Sequence, residues 1–198
     1  MYHWAIVLWL VLITATSETS HTPYVVREFG AKPLKTEYDH IIKKAVETHL
    51  PGYDWRLLKS QLYQESKLNP KAVSPAGAGG IAQFMAPTWK EWAPKAGYPE
   101  ADRFDPEASI MVGAAYMAHL IKQWKAPRPD IDRHCLAMAS FNSGLGNVLA
   151  AQKKAGNPNL YAEIIKELPS VTGPKHSNET MTYVKKILGY CNDLITNV

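Results

Sequence analysis

Glu65 ends a segment with helical spacing. Leu58, Leu62 and Glu65 fall at i, i+4 and i+7, which puts a carboxyl on the apolar side of a helix end. Ser74-Pro75-Ala76-Gly77-Ala78-Gly79-Gly80-Ile81-Ala82-Gln83-Phe84-Met85 follows shortly after, a small-residue stretch without helical period. Burial disfavours a carboxylate, and so does the negative end of a helix dipole, so both effects move the acid toward neutral pH. A carboxylic acid that stays protonated there can donate to a leaving oxygen. Gly77, Gly79 and Gly80 let backbone approach a ligand closely, and Gln83 offers donors and acceptors suited to acetamido and hydroxyl groups. The set suits a buried general acid beside a sugar cleft. Taken without the loop, Glu65 reads as a charge at a frayed helix end, paired with Lys67 or Lys71.

The elements that must position these groups are nearly all helical. Ile41, Ile42, Ala45, Val46, His49 and Leu50 form one face, stopped by Pro51-Gly52, and Asp54 caps the helix that carries Glu65. Asn69 to Pro87 is expected to be loop, with room for a very short hairpin. Thr88-Trp89-Lys90-Glu91 has the pattern of a capping box. Asp105-Pro106 is an N-cap with proline in the first turn of a helix running toward Gln123, with Ile110, Ala114, Met117 and Ile121 inward. Helices are expected from Asp130 to Phe141, Leu145 to Ala155 and Asn159 to Leu168, with Ser177 capping the last, which places Met181, Val184, Leu188 and Cys191 or Leu194 inside. No alternating segment long enough for a sheet appears, so the fold class is all-α.

The chain has 198 residues, 46% hydrophobic and 20% charged, which suits one domain with a real core. A net charge of +4, with the basic residues scattered, argues against a nucleic-acid partner. Trp4 to Ile13 is an unbroken apolar run followed by Thr14-Ala15-Thr16-Ser17, too short to span a bilayer comfortably and suited to a secretory signal. No Lys or Arg precedes it, so a weak membrane tether through residues 4–16 stands as the alternative. The expected organisation is residues 1–17 as signal or anchor, 18–35 as a polar tether and 36–198 as the domain. In an exported protein Cys135 and Cys191 could pair, worth roughly 4 kcal/mol in the chain-entropy model, while two buried thiols are the plainer reading. No Cys/His spacing suggests a metal site, and no cofactor is expected.

Glu65-Ser66, Leu68-Asn69-Pro70, Ser74, Gly77-Ala78-x-Gly80 and Gln83-Phe84-Met85, in this order and spacing, resemble the catalytic signature of the soluble-type lytic transglycosylases. Phe104-Asp105-Pro106 with Gly113 and Tyr116, Ser140-Phe141-Asn142 and Glu179-Thr180-x-x-Tyr183-Val184 extend the match over roughly residues 37–195. The resemblance implies a goose-lysozyme-like, all-α fold that cleaves peptidoglycan glycan strands.

It implies roles residue by residue. Glu65 would be first the general acid and then the base that draws the C6 hydroxyl proton of N-acetylmuramic acid, giving 1,6-anhydro ends without water. The substrate's acetamido oxygen would replace a second carboxylate. Ser74 and Gln83 would contact the sugar or steady Glu65, Met85 would line the floor, Phe141 and Asn142 the opposite wall, and Glu179 and Tyr183 the far end. Phe141 departs from the family's usual Tyr, and Met181 stands where Arg is common. Trp89, Trp92, Tyr98 and Trp124 are candidates for sugar stacking as well as for the core. The expected protein is monomeric and exported to the periplasm or cell envelope, serving wall remodelling, insertion of a secretion machine or phage lysis. A hydrolytic muramidase and a non-catalytic wall-binding protein of the same fold are the rival readings.

Overall fold

The computed structural model describes residues 34–196, and their regular elements are all helices. The helices are α1 (Asp39–His49), α2 (Trp55–Ser66), α3 (Ala86–Lys95), α4 (Pro106–Gln123), α5 (Asp130–Ser143), α6 (Leu145–Lys154), α7 (Tyr161–Ile164), α8 (Pro169–Thr172) and α9 (Pro174–Thr196), with a short 3₁₀ turn, Ile165–Glu167, between α7 and α8. The expected signal segment, and all but the last residues of the expected tether, lie outside the described residues. The all-α class holds, and the expected hairpin reduces to two isolated antiparallel bridges, Val73 with Gly79 and Gly79 with Phe84.

α4 is the spine. Ile110, Val112, Ala114, Met117 and Leu120 are fully or almost fully buried, because α1, α3 and α5 pack around it. A helix covered on most sides reads as apolar all round rather than as a stripe. Asp105 caps it by accepting from the Ala108 N–H at 2.8 Å, with Pro106 in the first turn, as expected. α2 lies against α9, and α9 against α5, so Glu65 meets the C-terminal helix across a packed seam. Asp54 starts α2 by accepting from the Arg56 N–H at 2.9 Å. Lys59, on the buried side of α2, is held by an ion pair to Asp39 of α1 at 2.6 Å.

Two helix starts are corrected, and of the two readings of the cysteines the plainer one holds. α3 begins at Ala86 with Met85 extended at its N-cap, two residues before the expected box, because Pro87 supplies the pre-set backbone of a first turn. α9 begins at Pro174, so Ser177 is inside the helix and donates its hydroxyl to the Pro174 carbonyl at 3.0 Å rather than capping. Cys135 and Cys191 are free thiols. Each is enclosed by its own surroundings, Cys135 near Asp132 and Cys191 near Asp54 and Arg56, and burial pushes them up to about 12 and about 11. Of the four stacking candidates, Trp124 is core (1% exposed). Trp89 donates its indole N–H to the Ala101 carbonyl, Trp92 packs against Tyr116 and His119, and Tyr98 packs partly buried against the core.

Candidate active site

Glu65 sits in the last turn of α2. The helix stops at once, because Lys67 and Leu68 both take left-handed backbone (φ 58° and 57°) and turn the chain into the loop. Left-handed backbone at two successive non-glycine residues costs energy, and the buried Leu68 side chain (1% exposed) anchors it. Ser66 donates to the Ile81 carbonyl at 2.8 Å and so fastens the far arm of the loop to the residue beside Glu65.

The loop is braced from α4 and the segment before it. Arg103 donates to the Gly77 and Phe84 carbonyls at 3.0 and 2.9 Å, and Ser109 accepts from the Ala82 N–H at 3.1 Å. Gly80 has φ +78°, and a Cβ there would lie 1.9 Å from the Arg103 carbonyl oxygen, so only glycine fits. Ser74 closes the inner turn by accepting from the Ala78 N–H at 3.0 Å. The Gln83 amide nitrogen donates to the Ala72 and Gly80 carbonyls at 3.1 and 2.8 Å. Its donors are spent within the loop, which leaves its carbonyl oxygen as the group to offer a ligand.

Glu65 is half-buried, between the packed seam with α9 and the open cleft. Tyr183 of α9 donates its hydroxyl to Glu65 Oε1 at 2.5 Å. Two opposed effects act on the acid: burial raises its pKa, the hydrogen bond from Tyr183 lowers it, and burial wins, leaving it at about 7. Tyr183 is 5% exposed, and burial together with the neighbouring Glu65 holds its phenol well above the ordinary range, so it remains a donor. The expectation that placed Tyr183 at the far end of the cleft is thereby corrected: it touches the acid directly.

A cavity of about 650 Å³ opens over this pair, and Ser74, Gln83, Met85, Phe141, Asn142, Glu179 and Tyr183 all line it together with Glu65. Glu65 and the seven expected substrate-contacting residues therefore line one cleft, which none of the four stacking candidates does. Phe141 packs its ring near Tyr116 (5.4 Å between centroids) and Phe84 (6.0 Å), so this wall is aromatic and apolar. Asn142 is oriented by Thr180, which donates to its Oδ1 at 2.8 Å and leaves its amide N–H groups free to donate. Glu179 is exposed and lies 4.0 Å from His176. A second cavity of about 400 Å³ continues past Asn142 and Glu179 toward Asn147, Thr172 and His176. The result is a groove with one half-buried carboxyl at its centre.

Several residues escaped the sequence reading. Asn178, Thr182 and Lys186 line the same wall as Glu179 and Tyr183, and their helical spacing was the signal that could have found them. Arg103 and Ser109 brace the loop from outside any motif, and nothing local in the sequence pointed to them. Among the described residues no group of three or more His, Cys, Asp or Glu is arranged to hold a metal ion.

An all-helical domain with a single half-buried carboxyl in an open, polar-edged groove belongs to the lysozyme-like class. Residues 42–164 match the family described as Transglycosylase SLT domain, and the chain belongs to that family. It is 30% identical over 181 residues to the membrane-bound lytic murein transglycosylase F of Alteromonas mediterranea, covering 84% of this chain and 37% of that protein. It is 34% identical over 167 residues to the protein of the same name from a Shewanella species (77% and 34%). Among solved structures it resembles an inactive variant of the lytic transglycosylase Slt from Pseudomonas aeruginosa, with TM-score 0.64 and 26% identity over 80% of this chain and 24% of that one. It also resembles a 70-kDa soluble lytic transglycosylase in complex with bulgecin A, with TM-score 0.63 and 25% identity over the same shares. The chain thus spans little more than a third of the curated relatives it matches. No helix among the described residues is long and apolar enough to cross a membrane.

Proposed function

We propose that this chain cleaves the β-1,4 bond between N-acetylmuramic acid and N-acetylglucosamine in peptidoglycan without water, leaving 1,6-anhydro ends, with Glu65 as the only acid and base. The observation that carries the reading is the Glu65 carboxyl, held at about 7 in the cleft and aimed by Tyr183. A group poised there is populated in both protonation states near neutrality, which a residue used first as acid and then as base requires.

The steps balance on one proton. Protonated Glu65 gives its proton to the glycosidic oxygen as the C1–O bond breaks, and the departing sugar leaves as an alcohol. The electron-poor C1 is supported by the acetamido oxygen of the same sugar, a role that otherwise falls to a second carboxylate. Ionised Glu65 then takes the proton from the C6 hydroxyl as O6 closes onto C1, which restores the protonated acid. Glu179, the other carboxylate lining the cleft, is solvent-exposed and stands one helical turn from Tyr183. Ser74, the Gln83 carbonyl oxygen and the Asn142 amide supply neutral polar contacts for sugar hydroxyl and acetamido groups, and the Phe141 ring supplies an apolar wall. The names of the relatives place them at a membrane and on murein, which supports a site of action in the cell envelope.

Mass spectrometry of products released from purified sacculi tests this reading. Muropeptide ends lighter by one water are expected, and ends with a full reducing sugar would identify a hydrolase instead. Glu65→Gln is expected to lower the rate by at least roughly 10²-fold.

A further inference from the structure

The wall of the cleft formed by α9 carries more charge than a neutral glycan calls for. Asn178, Glu179, Thr182, Tyr183 and Lys186 recur along one helical face and all line the cavity. Tyr183 is committed to Glu65. Lys186 lies three residues beyond it, about 4.5 Å further along the axis. Lys186 is exposed, is the only basic side chain lining the cavity, and takes part in none of the ion pairs among the described residues. The opposite wall, Ser74, Gln83, Phe141 and Asn142, is neutral. Where a stem is attached, the muramoyl lactyl carboxyl is tied up in an amide, so the sugars themselves are uncharged and their hydroxyl and amide groups suit that neutral wall. A peptidoglycan strand carries carboxylates on the peptide stems that hang from the muramoyl sugar.

We propose that Lys186 is a specificity-determining residue that pairs with a carboxylate of the peptide stem, so that the cleft prefers strands carrying acidic stems. The inference rests on the peptidoglycan reading above and goes beyond it by assigning the stem a contact of its own. Lysine is a compact point charge on a flexible stem, which suits a carboxylate whose position varies along a strand. At an exposed site the pairing contributes modestly, about two- to fivefold in affinity, and is weakened by salt.

The test measures binding separately from cleavage. The Glu65→Gln protein, expected to turn its ligand over at least roughly 10²-fold more slowly, is titrated with a muramoyl-peptide tetrasaccharide whose stem carboxylates are free, with the same compound after their conversion to amides, and with stem-free glycan whose lactyl carboxylates are exposed. The free-acid stem is expected to bind two- to fivefold more tightly than the amide at low salt. That ratio is expected to fall to about one when Lys186→Gln is added, to persist with Lys186→Arg and to shrink in high salt. A ratio of one in the parent protein, or a ratio unchanged by Lys186→Gln, overturns the proposal. A Lys186-dependent preference confined to stem-free glycan assigns the contact to the lactyl carboxylate and overturns the stem reading. Cleavage by the wild-type protein is scored separately: if it releases no product while the Lys186-dependent ratio is present, the transglycosylase reading fails and the stem contact stands.

Discussion

The Tyr183 hydroxyl on α9 donates to Glu65 Oε1 at the end of α2 at 2.5 Å, joining residues 118 positions apart in the chain. The bond aims a carboxyl that burial alone would merely neutralise. It also opposes the dominant effect of burial, because a donated hydrogen bond favours the charged form.

Tyr183→Phe removes that donor. The wild-type kcat/KM is expected to fall as pH rises through about 7, where Glu65 loses the proton it must donate. In the variant this alkaline limb moves to higher pH, because only burial now acts on the acid. The maximal rate also drops by about tenfold or more, because the carboxyl is no longer oriented. A pH–rate profile with released muropeptides as the readout checks both. A lower rate with the limb unmoved would mean that the tyrosine serves packing alone.

Glu65→Gln is expected to stabilise the fold at alkaline pH. The folded pKa of about 7 lies above the ordinary 4.5, so between these values the native state holds a proton that the unfolded chain releases, and native stability declines as pH rises through that window. The neutral amide escapes this penalty, which amounts to about 3 kcal/mol above pH 7. Thermal unfolding at pH 8 should show the variant more stable than the wild type, and the difference should shrink at pH 4.

Gly80→Ala should disrupt the loop rather than trim it. The new Cβ would meet the Arg103 carbonyl oxygen at 1.9 Å at a residue whose φ is +78°. A loss on the order of 3 kcal/mol or more is expected, together with loss of activity as Ser74 and Gln83 shift. Arg103→Ala, which removes the donors to Gly77 and Phe84, should cost about 1–3 kcal/mol. Chemical denaturation midpoints measure both, and an unchanged midpoint for Gly80→Ala would contradict the close approach.

His134 predicts an acid limit. It is 2% exposed in α5, lies beside the Tyr53 ring, has no hydrogen-bond partner for either ring nitrogen, and is pushed down to about 4 by burial. The unfolded chain takes up a proton below about 6.5 that the native state refuses until about 4, so stability is lost as pH falls across that range, by about 3 kcal/mol. Glu65 gains stability as pH falls over nearly the same range and offsets this loss in the wild type, so His134→Leu should unmask a denaturation midpoint that rises as pH falls from 6.5 to 4.5. A slope identical to the wild type would assign the acid sensitivity to other groups.

The helices were legible because their signals are local. Asp54 and Asp105 cap through their own side chains, Pro51-Gly52 and Gly144 stop helices by backbone geometry, and the apolar spacing of α1 and α4 names their buried faces, whereas on α9 the buried face is turned toward Tyr183 and Ile187 and leaves Met181 and Leu188 half-buried. Glu65 was legible for the same reason, since spacing put it on an apolar face and a motif surrounded it. Where local rules competed, the reading slipped: Pro87 and Pro174 each started a helix ahead of the Thr88 and Ser177 patterns, because a ring that pre-sets φ outweighs a capping side chain.

Sequence by itself determined that the chain is helical, that Glu65 is the acid to examine, and that Ser74, Gln83, Phe141 and Asn142 are its company. Tertiary structure alone decided what holds that acid and at what pKa. The burial that raises Glu65 comes from helices brought together by folding, its hydrogen-bond partner arrives from the far end of the chain, and the Gln83 donors turn inward because the loop closes on them. Spacing records which face a residue occupies on its own helix. It carries no record of which other helix comes to rest against that face, and the distance from Tyr183 to Glu65 depends on that packing.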